Sequence, residues 1–315
     1  MNKIKHYIKK YAPWIYKVIE WSKEFSPFGF RGVSLYEALA QIMEETNLAN
    51  IINRANSIAY SLFLSLFPTI IFIFALLPLL PIAIDFTSAL EERTKYVLPY
   101  ASHKYIFDIL NDIVLTKRQG LLSLGAFLAL YFSSNGMLTL MGGFDKTWSG
   151  VFKKRNIIVQ RLWAIALTVL LTILLVIALV IPVLEKYFVN YIENLMALPV
   201  IVNDLLTALV WVITIFVLYT GISLIYRFGP SMYSKTPFFN FGASFAVIFT
   251  LLLSKIFSVY INNFSRYNEV YGSIGALMVL LIWIQLNSMI LLIGFEINAS
   301  IAINESKREK LLEEA

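Results

Sequence analysis

Apolar residues run through this chain in six long blocks, at 57–80, 121–142, 162–184, 205–226, 240–261 and 274–297. Each comes close to the ~20 apolar residues a helix needs to cross a bilayer core. The third is the cleanest: between Trp163 and Leu184 the only polar side chains are Thr168 and Thr172. The first is the least regular, since Pro68, Pro78 and Pro81 predict a kink and an early end. Before the blocks the pattern is amphipathic. Ile4, Ile8, Tyr11, Ile15 and Val18 recur at helical spacing among Lys3, Lys5, Lys9, Lys10 and Lys17, as in helices that lie in the headgroup plane. Ser34-Leu35-Tyr36-Glu37 has the form of a capping box. It opens a second amphipathic helix, through Leu39, Ile42 and Met43 toward Asn50, that is expected on the same surface. In the 85–120 loop, Ser88-Ala89-Leu90-Glu91 is another capping box, and Ile106, Ile109, Leu110, Ile113 and Val114 mark an amphipathic helix after Pro99. The pattern predicts an all-α polytopic membrane protein. It has amphipathic helices over 1–53, a six-helix transmembrane bundle over 54–303 with a helical external loop, and a charged tail over 304–315.

Composition supports this reading. Of 315 residues 58% are apolar and 15% charged, against about 25% charged in soluble domains. The aromatic share of 15% suits interfacial belts of Trp and Tyr. There is no cysteine, which excludes disulfide and thiolate chemistry. The net charge of +6 does not point to nucleic acid, because the basic residues cluster beside apolar blocks instead of along one soluble face. They give orientation instead. The N-terminal region, the 143–161 and 227–239 loops and the tail hold 18 Lys and Arg; the 85–120, 185–204 and 262–273 loops hold 7. The richer side is predicted to be cytoplasmic, with both termini there, and to meet anionic lipid headgroups. No cleavable leader is evident in the polar first fifty residues, so the first spanning helix is expected to act as its own signal.

Polar residues inside the blocks are the candidates for chemistry. On the sixth helix, 100° per residue places Gln285 and Glu296 within about 20° of each other. Asn287, Gly294 and Asn298 fall on the opposite side, within about 40°. A helix polar on two opposite faces is unsuited to lipid, and is predicted to sit in the middle of the bundle with protein or water on both sides. The first helix carries Arg54, Ser57, Ser61, Ser65 and Pro68 within about 80° of arc. Such residues either pack helices together or line a pathway. Lys255 interrupts the fifth block about 9 Å from its outer end, within reach of snorkelling or poised as a functional cation. The second block ends with Ser133-Ser134-Asn135-Gly136 and Gly142-Gly143, which permit close helix contact or a local break. Asp145 precedes Lys153-Lys154-Arg155, predicting a surface ion pair. No HxH, HExxH, GxSxG or Walker A pattern is present, and His6 and His103 stand far apart. No cofactor is implied.

Several of these stretches carry a family likeness. Arg54-Ala55-Asn56-Ser57-Ile58-Ala59-Tyr60 leads to Ser65-Leu66-Phe67-Pro68. Tyr267-Asn268-Glu269-Val270-Tyr271-Gly272-Ser273 precedes the sixth span, and Gly294-Phe295-Glu296-Ile297-Asn298-Ala299 closes it. With the Gly136-containing second span, they make the chain resemble the YihY/BrkB family of bacterial inner-membrane proteins, historically labelled ribonuclease BN, over residues 50–303. The resemblance implies a multi-pass protein of the bacterial plasma membrane with a role in moving solutes or lipids. Lys255 stands where the family pattern has an apolar or small residue. A transporter is therefore expected, its cavity or gate drawn from Arg54, Ser57, Tyr60, Ser61, Ser65, Pro68, Asn135, Asp145, Tyr267, Asn268, Tyr271, Gly272, Asn287, Glu296 and Asn298, with Lys255 and Gln285 in reserve. The transported substrate is not specified. A non-transporting membrane scaffold or envelope-integrity protein is the alternative, and a membrane-bound ribonuclease the remote one, since the sequence supplies no residues for RNA hydrolysis.

Overall fold

The computed structural model describes residues 13–26, 30, 32–34, 36–37, 40–41, 48–76, 119–145, 150–195, 200–263 and 265–313. The predicted helices of the 85–120 loop lie outside these residues. Seven helices make up the described fold: α1 (Pro13–Glu24), α2 (Leu48–Leu76), α3 (Gln119–Gly143), α4 (Ile157–Leu195), α5 (Val200–Phe228), α6 (Phe241–Asn263) and α7 (Ser265–Glu313). The protein is all-α, and α2 to α7 carry the six apolar blocks. Among the described residues, five of them, α2, α4, α5, α6 and α7, are long and apolar enough to cross a membrane. α3, at 25 residues, has the length as well.

Helix ends follow local chemistry. Asn156 starts α4, its Oδ1 accepting from the Ile158 N–H at 3.1 Å. Asn240 starts α6, its Oδ1 accepting from the Ala243 N–H at 2.8 Å, the role Asn favours at an N-cap. α5 stops before Gly229-Pro230, where the Gly229 N–H closes on the Ile225 carbonyl. Arg155 then donates to the carbonyls of Phe228, Gly229 and Pro230 at 3.2–3.3 Å, satisfying acceptors a helix end leaves open. The loops after α3 and α5 meet in one antiparallel bridge between Phe152 and Met232.

The six long helices form a closed ring, each packing on its neighbours in sequence, with α7 returning to α2. The centre is filled by an apolar core drawn from every member, including Ile58, Met141, Leu167, Ile225, Val247 and Leu292. At the end with the basic loops, Phe144 packs on Phe295 and Tyr226, ring centroids 4.6 and 5.9 Å apart. Outward, large apolar side chains such as Ile70, Phe127, Trp211, Val212, Ile248 and Ile282 are exposed, as a lipid-facing surface requires.

Three expectations gain detail, and the first changes. α7 is not central: it is the link that closes the ring, with protein on both of its polar faces because α2 flanks one and α6 the other. The charged stretch 304–315 is helical, since α7 continues unbroken to Glu313. That stretch contains no Gly or Pro and is rich in Glu, Lys and Leu, all strong helix formers. Of the second predicted N-terminal helix, Leu39, Ile42 and Met43 lie outside the described residues, but the stretch that opens it packs on α7. Phe30 and Val33 are buried against Ile297 and Ile301, each worth about 1.5–3 kcal/mol when fully buried. The predicted capping box forms: the Ser34 N–H donates to Glu37 Oε2 at 3.1 Å and the Glu37 N–H to Ser34 Oγ at 3.2 Å. Glu37 pairs with Arg308 at 3.0 Å, and Lys307 donates to Gln41 at 2.9 Å.

Candidate functional site

The two polar faces of α7 meet two different helices. Toward α2, Glu296 is 2% exposed. Its Oε1 stands 3.3 Å from Arg54 Nη1. The other terminal nitrogen of Arg54 donates to the Gly143 carbonyl at the end of α3, so one guanidinium ties α2, α3 and α7. Gly143 allows this approach, since a Cβ there would come within 2.8 Å of Ile58 Cδ1. Farther along the α2–α7 contact, Gln285 Nε2 donates to Asn56 Oδ1 at 2.7 Å.

Toward α6, Asn298 works in both directions. Its Oδ1 accepts from the Gly242 N–H at 3.0 Å, and its Nδ2 donates to Asn240 Oδ1 at 2.8 Å. Asn240 Nδ2 in turn donates to the carbonyls of Pro237 and Phe238, and its backbone N–H to the Tyr219 hydroxyl. Asn298 thereby shares in capping α6. Two glycines make the contact possible: a Cβ on Gly242 would overlap the Gly294 carbonyl, and one on Gly294 would overlap the Tyr226 hydroxyl. Small residues commonly permit such close helix crossings in membranes. Tyr226 donates its hydroxyl to the Leu291 carbonyl at 2.8 Å.

The serine stripe of α2 divides. Ser57 Oγ donates to the Asn53 carbonyl and Ser65 Oγ to that of Ser61, so both are largely spent on their own helix. Ser65 also accepts from the Gly136 N–H at 2.9 Å, where α2 and α3 touch so closely that a Cβ on Gly136 would lie 2.8 Å from Leu62 Cδ2. Ser61 and Pro68 are half-buried, and Tyr60 is exposed. Asn135 leaves the stripe's side altogether: its Oδ1 accepts from Arg161 of α4 at 2.7 Å. Arg161 also donates to the Tyr131 carbonyl and lies 3.8 Å from the centre of the Tyr131 ring. Asn287 Nδ2 turns back to the Trp283 carbonyl, while its buried Oδ1 meets no donor among the described residues. Asp145 reaches solvent, yet partial burial by the surrounding loops raises its pKa above the ordinary carboxylate value; the charges of Arg155 and Arg54 oppose that shift. Lys255 is exposed on α6, away from both α7 contacts. Tyr267, Asn268, Tyr271 and Gly272 fall in the first turns of α7, where only the backbone is described; their side chains lie outside the described residues.

A cavity of about 170 Å³ enters at the basic end and is lined by Asn240, Asn298, Lys235, Glu305 and Glu309 among others. It reaches one polar face of α7, at Asn298, whereas Glu296 faces α2. The sequence reading passed over Asn240, Arg161 and Tyr226. Asn240 was legible as an N-cap: an Asn directly before the apolar block, followed by small residues Gly242 and Ala243. Arg161 and Tyr226 carry no local signal, since their partners lie on other helices.

Comparison with known proteins places this geometry in a family. Residues 42–315 match the family model described as virulence factor BrkB. The ribonuclease-like protein YfkH of Bacillus subtilis (strain 168) is 30% identical over 262 residues, covering 83% of this chain and 92% of its own length. A UPF0761 membrane protein of Psychromonas ingrahamii is 24% identical over 270 residues, covering 84% of this chain and 88% of that protein. Another UPF0761 membrane protein, IL2447 of Idiomarina loihiensis, is 29% identical over 100 residues, 32% of this chain and 35% of its own length. No solved structure matches the chain. With apolar helices built to cross a bilayer and the family match extending over most of its length, the chain belongs to the BrkB virulence-factor family of membrane proteins.

Proposed function

We propose that this membrane protein is a transporter for a solute or a lipid, in which the Arg54–Glu296 pair acts as a gate latch. The observation that supports the reading is the buried carboxylate of Glu296, held at 3.3 Å by an arginine from the first spanning helix. Ionisable residues inside a membrane bundle are costly, and they mark pathways and relays more often than structure. Burying such a pair often adds little stability compared with apolar side chains of the same size, so a role beyond packing is favoured. Asn298 at the inner wall of the 170 Å³ cavity supplies a polar contact for a solute entering from the basic end. The excess of Lys and Arg at that end supports a bacterial plasma-membrane protein with cytoplasmic termini, its basic loops against anionic headgroups. The test is reconstitution into liposomes, following labelled lipids and solutes under ion gradients. Movement slowed by Glu296→Gln in correctly folded protein is expected; no movement of any probe under any gradient overturns the reading.

A scaffold is the second reading. It is favoured by the way Ser57, Ser65, Gln285 and Asn298 all engage backbone or neighbouring helices. It predicts that Glu296→Gln lowers thermal stability and changes no flux. The ribonuclease-like name belongs to YfkH. Among the described residues of this chain, no three His, Cys, Asp or Glu side chains come together as two-metal phosphodiester chemistry requires.

A further inference from the structure

A second cavity, of about 370 Å³, opens between the start of α4 and the loop after α5. Its lining contains five cations, Lys153, Lys154, Arg155, Arg227 and Lys235, and no Asp or Glu. Like charges gather in this way against their own repulsion, so the arrangement calls for an anion. Two of the five are anchored. Arg155 donates to the carbonyls that end α5, and Arg227 donates to the Thr236 carbonyl at 3.3 Å. They fix the shape of the mouth. Lys153, Lys154 and Lys235 are exposed there. Asn156, which also lines the cavity, caps α4, so the N-terminal end of a 39-residue helix stands at the edge. A helix N-terminus adds partial positive charge and backbone N–H donors.

The remaining wall is apolar. Val159, Trp163 and Phe228 line it, with the Trp163 and Phe228 rings stacked at 5.1 Å. Just outside, Ile157, Ile158 and Leu162 are 82%, 68% and 60% exposed on the first turns of α4. The Trp163 and Phe228 rings also hold Arg155 and Lys235 over their faces, but a free anion has no use for the exposed Ile157, Ile158 and Leu162, and an acyl chain does. We infer that this cavity is a specific site for the phosphate of an anionic phospholipid, with the acyl chains lying along the start of α4. Five cations also repel a choline headgroup, so phosphatidylglycerol is selected over phosphatidylcholine. The inference deepens the proposed contact of the basic end with anionic headgroups, and it stands or falls independently of transport.

Native mass spectrometry of the full chain in detergent, with phosphatidylglycerol and phosphatidylcholine of matched acyl chains, tests it. One phosphatidylglycerol should be retained in preference to phosphatidylcholine. Lys153→Gln, Lys154→Gln and Lys235→Gln together should cut that preference by roughly tenfold or more, given what each surface cation contributes. Lys307→Gln, Arg308→Gln and Lys310→Gln, which remove as much charge from the end of α7 and do not line this cavity, should leave it unchanged. Should the first triple variant fail to fold, its three single substitutions report the same loss in steps. Equal losses from both triple variants overturn the site in favour of diffuse attraction. Displacement of the lipid by millimolar inorganic phosphate overturns it in favour of a free-anion site, and the absence of any preference removes it. Because the readout is binding, a failed transport assay leaves this result standing, and loss of lipid preference leaves the transporter reading standing.

Discussion

Asn298 completes the cap that Asn240 begins. One amide on the last helix accepts the Gly242 N–H and donates to the side chain of the residue that caps α6. The two asparagines are 58 positions apart in the chain, and together they satisfy N–H groups that a helix start otherwise leaves open inside the protein. Replacing Asn298 with Ala leaves the Gly242 N–H and one of Asn240's bonds unmade. A loss of about 1–3 kcal/mol is expected for such a buried donor. Thermal unfolding in detergent measures it. A double-mutant cycle with Asn240→Ala should show coupling, with the pair costing less than the sum of the singles.

Gly242 and Gly125 should respond in opposite directions to the same change. A Cβ at Gly242 runs into the Gly294 carbonyl and the Asn298 amide, while one at Gly125 meets nothing within 4 Å. Gly242→Ala is expected to destabilise by about 1–3 kcal/mol, as overpacking does. Gly125→Ala, within a helix, should stabilise by up to about 1 kcal/mol through reduced backbone entropy. Equal effects at the two positions would contradict the close α6–α7 contact.

The ion pair predicts an asymmetry between its partners. Arg54 keeps the Gly143 carbonyl when Glu296 becomes Gln. The carboxylate loses its arginine when Arg54 becomes Gln, while being far less exposed, at 2% against 29% for the Arg54 side chain. Arg54→Gln should therefore be the more damaging substitution, costing about 1–3 kcal/mol as the buried carboxylate loses one of its contacts. Glu296→Gln should cost less, and adding it to Arg54→Gln should recover part of the loss. Chemical unfolding of the four proteins in one detergent reads all three statements.

The N-terminal clasp should be sensitive to acid. Burial works against the Glu37 carboxylate, but the Ser34 N–H, the Arg308 charge and their hydrogen bonds outweigh it and hold the pKa below the ordinary 4.5. A carboxylate with a depressed pKa stabilises the folded state fully above its unfolded value and ceases to do so as pH falls through the folded one. The protection of backbone amides over residues 30–41, taken as exchange relative to the intrinsic rate at each pH, should be constant above pH 4.5 and fall below it. Glu37→Gln should be less protected above pH 4.5, converge with the unsubstituted chain in acid, and lose this pH dependence. The pair is partly exposed, so high salt should weaken the clasp as well.

Much of the fold was legible because membranes impose simple rules. Six apolar blocks announced six long helices, and the reciprocal spacing of Ser34 and Glu37 announced the capping box. The opposed faces of α7 were also readable: Gln285 and Glu296 on one side, Gly294 and Asn298 on the other, now engaged with α2 and α6. Periodicity tells which residues share a face, not what stands opposite. It therefore could not distinguish a central helix from one that closes a ring. Nor could it show that Asn135 turns to Arg161, or that Asn240 is the partner of Asn298. The charged residues beyond 303 read as a solvated tail because their binding partners, Glu37 and Gln41, lie more than 260 positions earlier.

The ring has one join that differs from the rest. Between α2 and α3, α3 and α4, and onward to α6 and α7, adjacent helices follow one another along the chain; α7 and α2 meet only through side chains and packing. Among the described residues, the one further tie across this join is the clasp of residues 30–41, just before α2, on the end of α7. A hinge motion that parts them breaks the Arg54–Glu296 and Gln285–Asn56 contacts and strains only that clasp. The closed barrel of helices then becomes an open crescent, with a slit facing the bilayer between its first and last members.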